Sequence, residues 1–307
     1  MSAPHRFSAA LCLVVAAFGW ALTPVFIRFL SSTFDVFTMP FLRYGSAAVV
    51  LAVISALAFR TELIDVLRNH KGLIGLAAVN VTMMCFWTAG CSMATATKAQ
   101  LISKLSIVFI IIFSFFLFRE ERAVITNPAY LFGTLLSFVG VAALTSDDPA
   151  SLAPSLDTGT LVLLATAVLW AVYTVWSRHV VIHCHPIAMF TAVALYTSLG
   201  CGLVCLMLGR PSSVLTASPG MLVIAVISGL VPIALGHPCF LFAQKHLGAA
   251  LCSSFTLLNP LITYGIALLI WTDERLTPVQ WVGAGVLLAG TLLVTYVGHG
   301  VTVRSAA

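Results

Sequence analysis

The sequence predicts an all-α integral membrane protein: ten transmembrane helices in two inverted five-helix repeats. Three observations lead there. Apolar residues form 60% of the 307-residue chain and charged residues 8%, against ~45–50% and ~25% in a soluble domain. Those apolar residues fall in long runs. The chain also overlays on itself when shifted by 150 positions. With a mean hydropathy of +1.07, there are too few charges to cover a water-facing surface. That excludes a soluble enzyme, a secreted or disordered chain and a nucleic-acid binder. The formal charge of +5 comes from scattered basic residues, not the basic patch that nucleic acid requires.

Crossing the hydrocarbon takes ~20 mostly apolar residues. Ten stretches qualify, at 7–27, 36–59, 72–93, 99–118, 128–145, 159–177, 186–208, 219–243, 248–271 and 278–297. The first follows His5 and Arg6 and resembles a signal peptide, but it exceeds the ~7–15 residues of a signal h-region and lacks a cleavage site. It is expected to stay as a span. The middle stretches are separated by short loops, so neighbours run antiparallel. The eighth and ninth are interrupted, at Gly236-His237-Pro238 and at Asn259-Pro260. None shows the alternation a membrane β-barrel needs.

Loop charge sets the expected orientation. With the N-terminus inside, the inner loops and tails hold nine basic residues: Arg6, Arg60, Arg68, Lys71, Arg119, Arg122, Arg178, Lys245 and Arg304. The outer ends hold four: Arg28, Lys98, Arg210 and Arg275. The positive-inside rule then places both termini in the cytoplasm. The loop from Ser146 to Thr158 adds Asp147, Asp148 and Asp157 on the outside.

The internal repeat holds at separated places. Trp20-Ala21 overlays Trp170-Ala171, Arg28 overlays Arg178, and Ala99, Leu101 and Ser103 overlay Ala249, Leu251 and Ser253. Gly133 and Gly140 overlay Gly283 and Gly290, with a slip of three where Glu121 meets Glu274. Each unit holds an odd number of helices, so the second enters the membrane inverted. Inverted repeats around a midplane site are a mark of secondary transporters.

The stretch Phe18 to Pro24 around Trp20, then Arg28, then Phe41 to Tyr44, resembles the opening of an EamA domain. So does Leu169 to Tyr173 with Arg178. Gly248 to Ala250, Asn259-Pro260, Asp273 to Arg275 and Gly283 to Gly290 resemble its close. The chain is thus similar to the drug/metabolite transporter superfamily, with EamA units over 8–145 and 159–297. The resemblance implies a central cavity lined by both halves, in the inner membrane of a bacterial cell. Relatives move amino acids, other small metabolites or drugs, often outward. The first half departs from the family pattern at Ser106-Ile107, where the fourth helix usually carries a proline.

The spans hold only two ionisable residues other than histidine, Arg43 and Lys104. An intramembrane charge costs ~2.5–3.5 kcal/mol on insertion scales and usually faces the bundle interior. Lys104 shares a helix face with Gln100, near Ser103, and reads as part of a polar cavity wall. For both cations, snorkelling to the outer headgroups is the competing reading, and for Arg43 so is a structural pairing. Cavity-facing cations would favour carboxylate-bearing cargo. Trp20, Trp87, Trp170, Tyr173 and Trp176 could stack on a ring or an organic cation, or serve as packing and interface anchors. Cys252, Thr256, Asn259 and Thr263 form a second polar stripe, where Pro260 removes a backbone donor; helix–helix bonding explains the same residues. His237 is the candidate for proton coupling, with a satisfied core histidine as the alternative.

No span contains Asp or Glu, which points to exchange, facilitated diffusion, or coupling through His237 or Lys104. Glu120, Glu121, Asp273 and Glu274, beside Arg119, Arg122 and Arg275, read as solvated pairs at helix ends. His179, His183, Cys184 and His185 lack metal-ligand spacing, and no metal or cofactor is expected. The cysteines read as apolar free thiols. A membrane-embedded enzyme would need a catalytic constellation that the chain lacks, and a channel leaves the repeat unexplained. The expected function is a transporter of small metabolites, amino acids or other carboxylate-bearing solutes, with an exporter of drugs or organic cations as the alternative. Expected partners are a small-molecule substrate and the lipid bilayer. The chain is expected as a monomer or a homodimer, with Gly133/Ser137 and Gly285/Ala289 as close-packing faces.

Overall fold

A computed structural model describes residues 3–69, 72–117, 127–145, 156–181, 185–247 and 255–305. Its first half contains α1 (Ala3–Leu30), α2 (Thr38–Ala58), α3 (Arg60–Asn69), α4 (Gly72–Met93), α5 (Ala96–Ile102), α6 (Leu105–Leu117) and α7 (Pro128–Thr145). The second contains α8 (Thr158–Val181), α9 (Pro186–Leu208), the short α10 (Ser212–Thr216), α11 (Pro219–Gly229), a π-helical segment (Leu230–Leu235), α12 (Gly236–Leu247), α13 (Asn259–Ala267) and α14 (Pro278–Ser305). Six helical stretches among the described residues are long and apolar enough to cross a bilayer, at 7–30, 38–58, 72–93, 158–177, 187–208 and 219–243. Pro128–Leu144 and Pro278–Val294 are apolar and shorter.

The outer surface is greasy. Leu57, Leu206, Met207, Leu269, Val282 and Tyr296 are each more than half exposed. A soluble monomer rarely carries so much apolar surface, whereas lipid solvates it.

The fourth apolar run is not one helix. It breaks between α5 and α6 at Ser103-Lys104, although no proline is present. The Ser103 hydroxyl donates to the Gln100 carbonyl at 2.7 Å, a back-bond that competes with the helical ladder. The backbone there tightens to three-residue bonds: Lys104 N donates to Leu101 O at 3.0 Å and Ser106 N to Ser103 O at 3.1 Å. The ninth run makes the same turn at Leu257-Leu258, where Leu258 N donates to Phe255 O at 3.1 Å. The break in the eighth run begins at the π segment, six residues ahead of the expected Gly236. α3 was not anticipated. It is a short amphipathic helix that buries Val66 against Leu73 and Met189 while exposing Arg60, Asp65 and Arg68.

The main helix contacts cross between halves: α7 lies on α14, α4 on α8, α2 on α9, and α1 on α12 and α13. At the α7–α14 seam, backbones meet directly. A Cβ on Gly133 would stand 3.0 Å from the Gly290 carbonyl oxygen, and one on Gly290 would stand 2.7 Å from Ser137 N. Gly133 and Ser137 are therefore spent on internal packing, whereas Gly285 has nothing near it.

Candidate functional site

Where α1, α2, α4, the α5–α6 turn, α8, the π segment, α12 and the start of α13 converge, they surround a cavity of about 280 Å³. That is just below the ~300–1,000 Å³ of drug-sized pockets. Trp20, Arg43, Trp87, Gln100, Lys104, Trp170, His237, Thr256 and Asn259 all line it. Thr23, Tyr44, Met83 and Phe240 also line the cavity; as ordinary core residues in apolar runs, they carried no sequence signal.

Tyr173 lies elsewhere. It packs with Leu73, Leu76 and Met189, its ring centroid 5.9 Å from that of Trp170. Three residues turn a helix through about 300°, and the α8 surface facing the cavity continues through Thr174 instead. Trp176 also leaves the site, covering Gly75, where a Cβ would meet its ring at 2.7 Å.

The two cations are buried, Arg43 at 3% and Lys104 at 8% exposure, so neither extends outward past the protein. Arg43 Nε donates to the Ser228 carbonyl at 3.2 Å, tying α2 to α11. A Cβ on Gly229 would collide with the Arg43 carbonyl, so that approach needs glycine. Lys104 has no hydrogen-bond or ion-pair partner among the described residues, and neither does the Gln100 side chain. Among the described residues, no carboxylate lines the cavity.

The Pro232 carbonyl organises one wall. It accepts the Trp20 indole N–H at 3.1 Å and lies 3.1 Å from His237 Nδ1. A carbonyl can only accept, so Nδ1 carries the hydrogen of that contact. The imidazole stacks on Phe190 at 4.4 Å and meets Trp20 edge-on at 5.2 Å. The π segment supplies this exposed carbonyl because its widened turn disturbs the regular ladder.

Beyond Thr23 toward the end of α1, an ionic cluster joins the halves. Arg28 pairs with Glu274 and with Asp273, and its guanidinium lies 4.7 Å over the Trp271 ring. Glu274 is buried rather than solvated as the sequence suggested, and its partner is Arg28 rather than the adjacent Arg275. Its carboxylate also accepts from Ala96 N at 2.7 Å, Thr97 N at 3.2 Å and Thr97 Oγ1 at 2.7 Å, capping the start of α5. The side chains of Glu120, Glu121, Arg178, His179, His183, Cys184 and Cys252 lie outside the described residues.

Helical throughout its described residues, with an apolar exterior and a largely apolar cavity that holds two cations, the chain has the build of an integral membrane protein. The EamA-like transporter family model matches twice, at residues 7–146 and 157–296, and the chain belongs to that family, whose members are membrane transporters of small solutes. No curated protein matches the sequence. A crystal structure described only as that of a protein shares the fold, with a TM-score of 0.66 at 16% identity over 96% of this chain and 99% of the other.

Proposed function

We propose that the chain is a ten-helix carrier whose two inverted repeats, 8–145 and 159–297, move small carboxylate-bearing solutes by alternating access. The direction is outward across a bacterial inner membrane, with both termini cytoplasmic. The helix pairings support the repeat reading. Exchanging the halves turns α1 on α12 into α8 on α4 and returns α2 on α9 and α7 on α14 to themselves.

The observation that carries the cargo class is Lys104, a buried cation that lines the cavity together with Gln100 and Arg43 and has no counter-charge among the described residues. An unpaired charge in a low dielectric attracts an anion strongly and repels a cation. The aromatic wall of Trp20, Trp87 and Trp170 favours a second reading, export of flat organic cations, through cation–π attraction.

Counterflow in proteoliposomes separates the two. Saturable exchange of labelled amino acids or organic acids, lost in Lys104→Ala, supports the carboxylate carrier. Exchange of organic cations, unchanged or faster in the variant, overturns it in favour of the second reading. In the same assay, loss of pH dependence in His237→Gln would assign proton coupling to the imidazole.

A further inference from the structure

We propose that Asn259 reads an ammonium group on the cargo, so that the carrier selects zwitterions over simple carboxylates. This rests on the carboxylate reading of the cavity and adds a second recognition point to it.

Asn259 is 1% exposed and lines the cavity, yet its Oδ1 has no hydrogen-bond partner. Buried side-chain amides are nearly always paired, and an exception calls for an explanation. Three of the hydroxyls that line the cavity are already committed. Thr166 donates to Val162 O at 2.9 Å, Thr174 to Trp170 O at 2.7 Å and Ser103 to Gln100 O at 2.7 Å, each within its own helix segment. Thr263, one turn beyond Asn259, donates to Ala21 O at 2.7 Å and to Asn259 O at 2.9 Å. That fixes the backbone of Asn259 against α1 while its side-chain oxygen stays without a partner. The amide turns about its last bond to present either its oxygen or its nitrogen.

The position of Asn259 in the repeat sharpens the assignment. The two broken helices make equivalent turns, and α5 packs against α13. Matched at their turns, Ser103-Lys104 falls on Leu257-Leu258, and Asn259 follows directly. A symmetric scaffold thus carries unlike chemistry at its two turns, a cation on one and an acceptor-bearing amide on the other. A cargo with two unlike ends matches that pattern: its carboxylate goes to Lys104 and its ammonium to the Asn259 oxygen. With no carboxylate among the described lining residues, the amide oxygens of Gln100 and Asn259 are open to a cationic donor, and Gln100 stands on the Lys104 helix run whereas Asn259 stands on the opposite one. A simple carboxylate leaves the amide unpaired and binds less well. A hydrogen bond to a charged group contributes enough for a preference of about 10–100-fold.

The test is counterflow with matched pairs, phenylalanine against 3-phenylpropionate and leucine against 4-methylpentanoate. Wild type should favour the amino acid of each pair at least about tenfold. Asn259→Ala should bring the ratio close to one while exchange of the deaminated acid persists, which also shows that the variant folds. If Asn259→Ala loses both members, Asn259→Asp decides: a retained amino-acid preference supports the inference, and loss of both overturns it. A wild type without preference, or a ratio unchanged by Asn259→Ala, overturns the ammonium site and leaves the carboxylate carrier standing. Failure of wild type to exchange either member of both pairs overturns the carboxylate reading together with it.

Discussion

Arg28 and Glu274 stand 246 positions apart and share an ion pair that ties the end of α1 to the turn before α14. The Glu274 side chain is fully buried and the Arg28 side chain largely so. Removing one member of a buried pair costs about 3–5 kcal/mol, because the other charge stays behind. Arg28→Ala should therefore lower the melting temperature in detergent sharply. Adding Glu274→Gln should recover part of the loss, since partners in one network do not add independently.

Asp35 makes a second bridge between the halves, and it is sensitive to acid. Its carboxylate accepts from Phe37 N at 2.9 Å, Thr38 N at 3.0 Å, Thr38 Oγ1 at 2.6 Å and Arg210 N at 2.9 Å. Partial burial works to raise its pKa, but these bonds together hold it below the ordinary 3.8. A carboxyl lowered on folding adds stability that is complete above its unfolded pKa and disappears as pH falls through the folded one. Below about pH 4, wild type should lose melting temperature faster than Asp35→Asn, and the two curves should converge.

The α7–α14 seam predicts opposite outcomes for two glycines. A Cβ on Gly140 would stand 2.7 Å from Leu287 Cα and 2.8 Å from the Gly283 carbonyl oxygen, backbone that cannot step aside. Gly140→Val should abolish the folded monomer peak in size-exclusion chromatography. Gly285 has nothing within 4 Å, and Gly285→Ala should match wild type.

Lys104 should trade stability against function. An unpaired intramembrane cation carries a cost of ~2.5–3.5 kcal/mol, which Lys104→Met removes at similar length. The variant should melt at or above the wild-type temperature and fail in counterflow of carboxylate-bearing solutes. A lower melting temperature would mean that Lys104 has a structural partner.

The long helices were legible because unbroken apolar runs have few other solutions in lipid. The break of the ninth run was legible to within two residues, since Asn259-Pro260 directly follows the turn at Leu257-Leu258. The turn at Ser103-Lys104 was not, because neither proline nor glycine marks it. α3 escaped because ten mostly polar residues give no span signal. In the site, rarity was informative: Arg43 and Lys104 are the only cations in the apolar runs, and both line the cavity. Tyr173 misled because adjacent aromatics on one helix differ in direction by an angle that composition does not record. The Arg28–Glu274 pair was unreadable for a further reason. Charges brought together by tertiary folding leave no local pattern, and Arg275 was the nearer candidate along the chain.

α3 joins α2 to α4 as a rod rather than a tether. Ten helical residues span about 15 Å, whereas the same length of extended chain could reach about 33–36 Å. The two spans it connects share α9 as a partner in the second half, while α4 leans chiefly on α8. A stiff strut between them limits how far their ends can separate, and it rests on α9 as well. Any tilt of one span would therefore be carried to the other along the membrane surface.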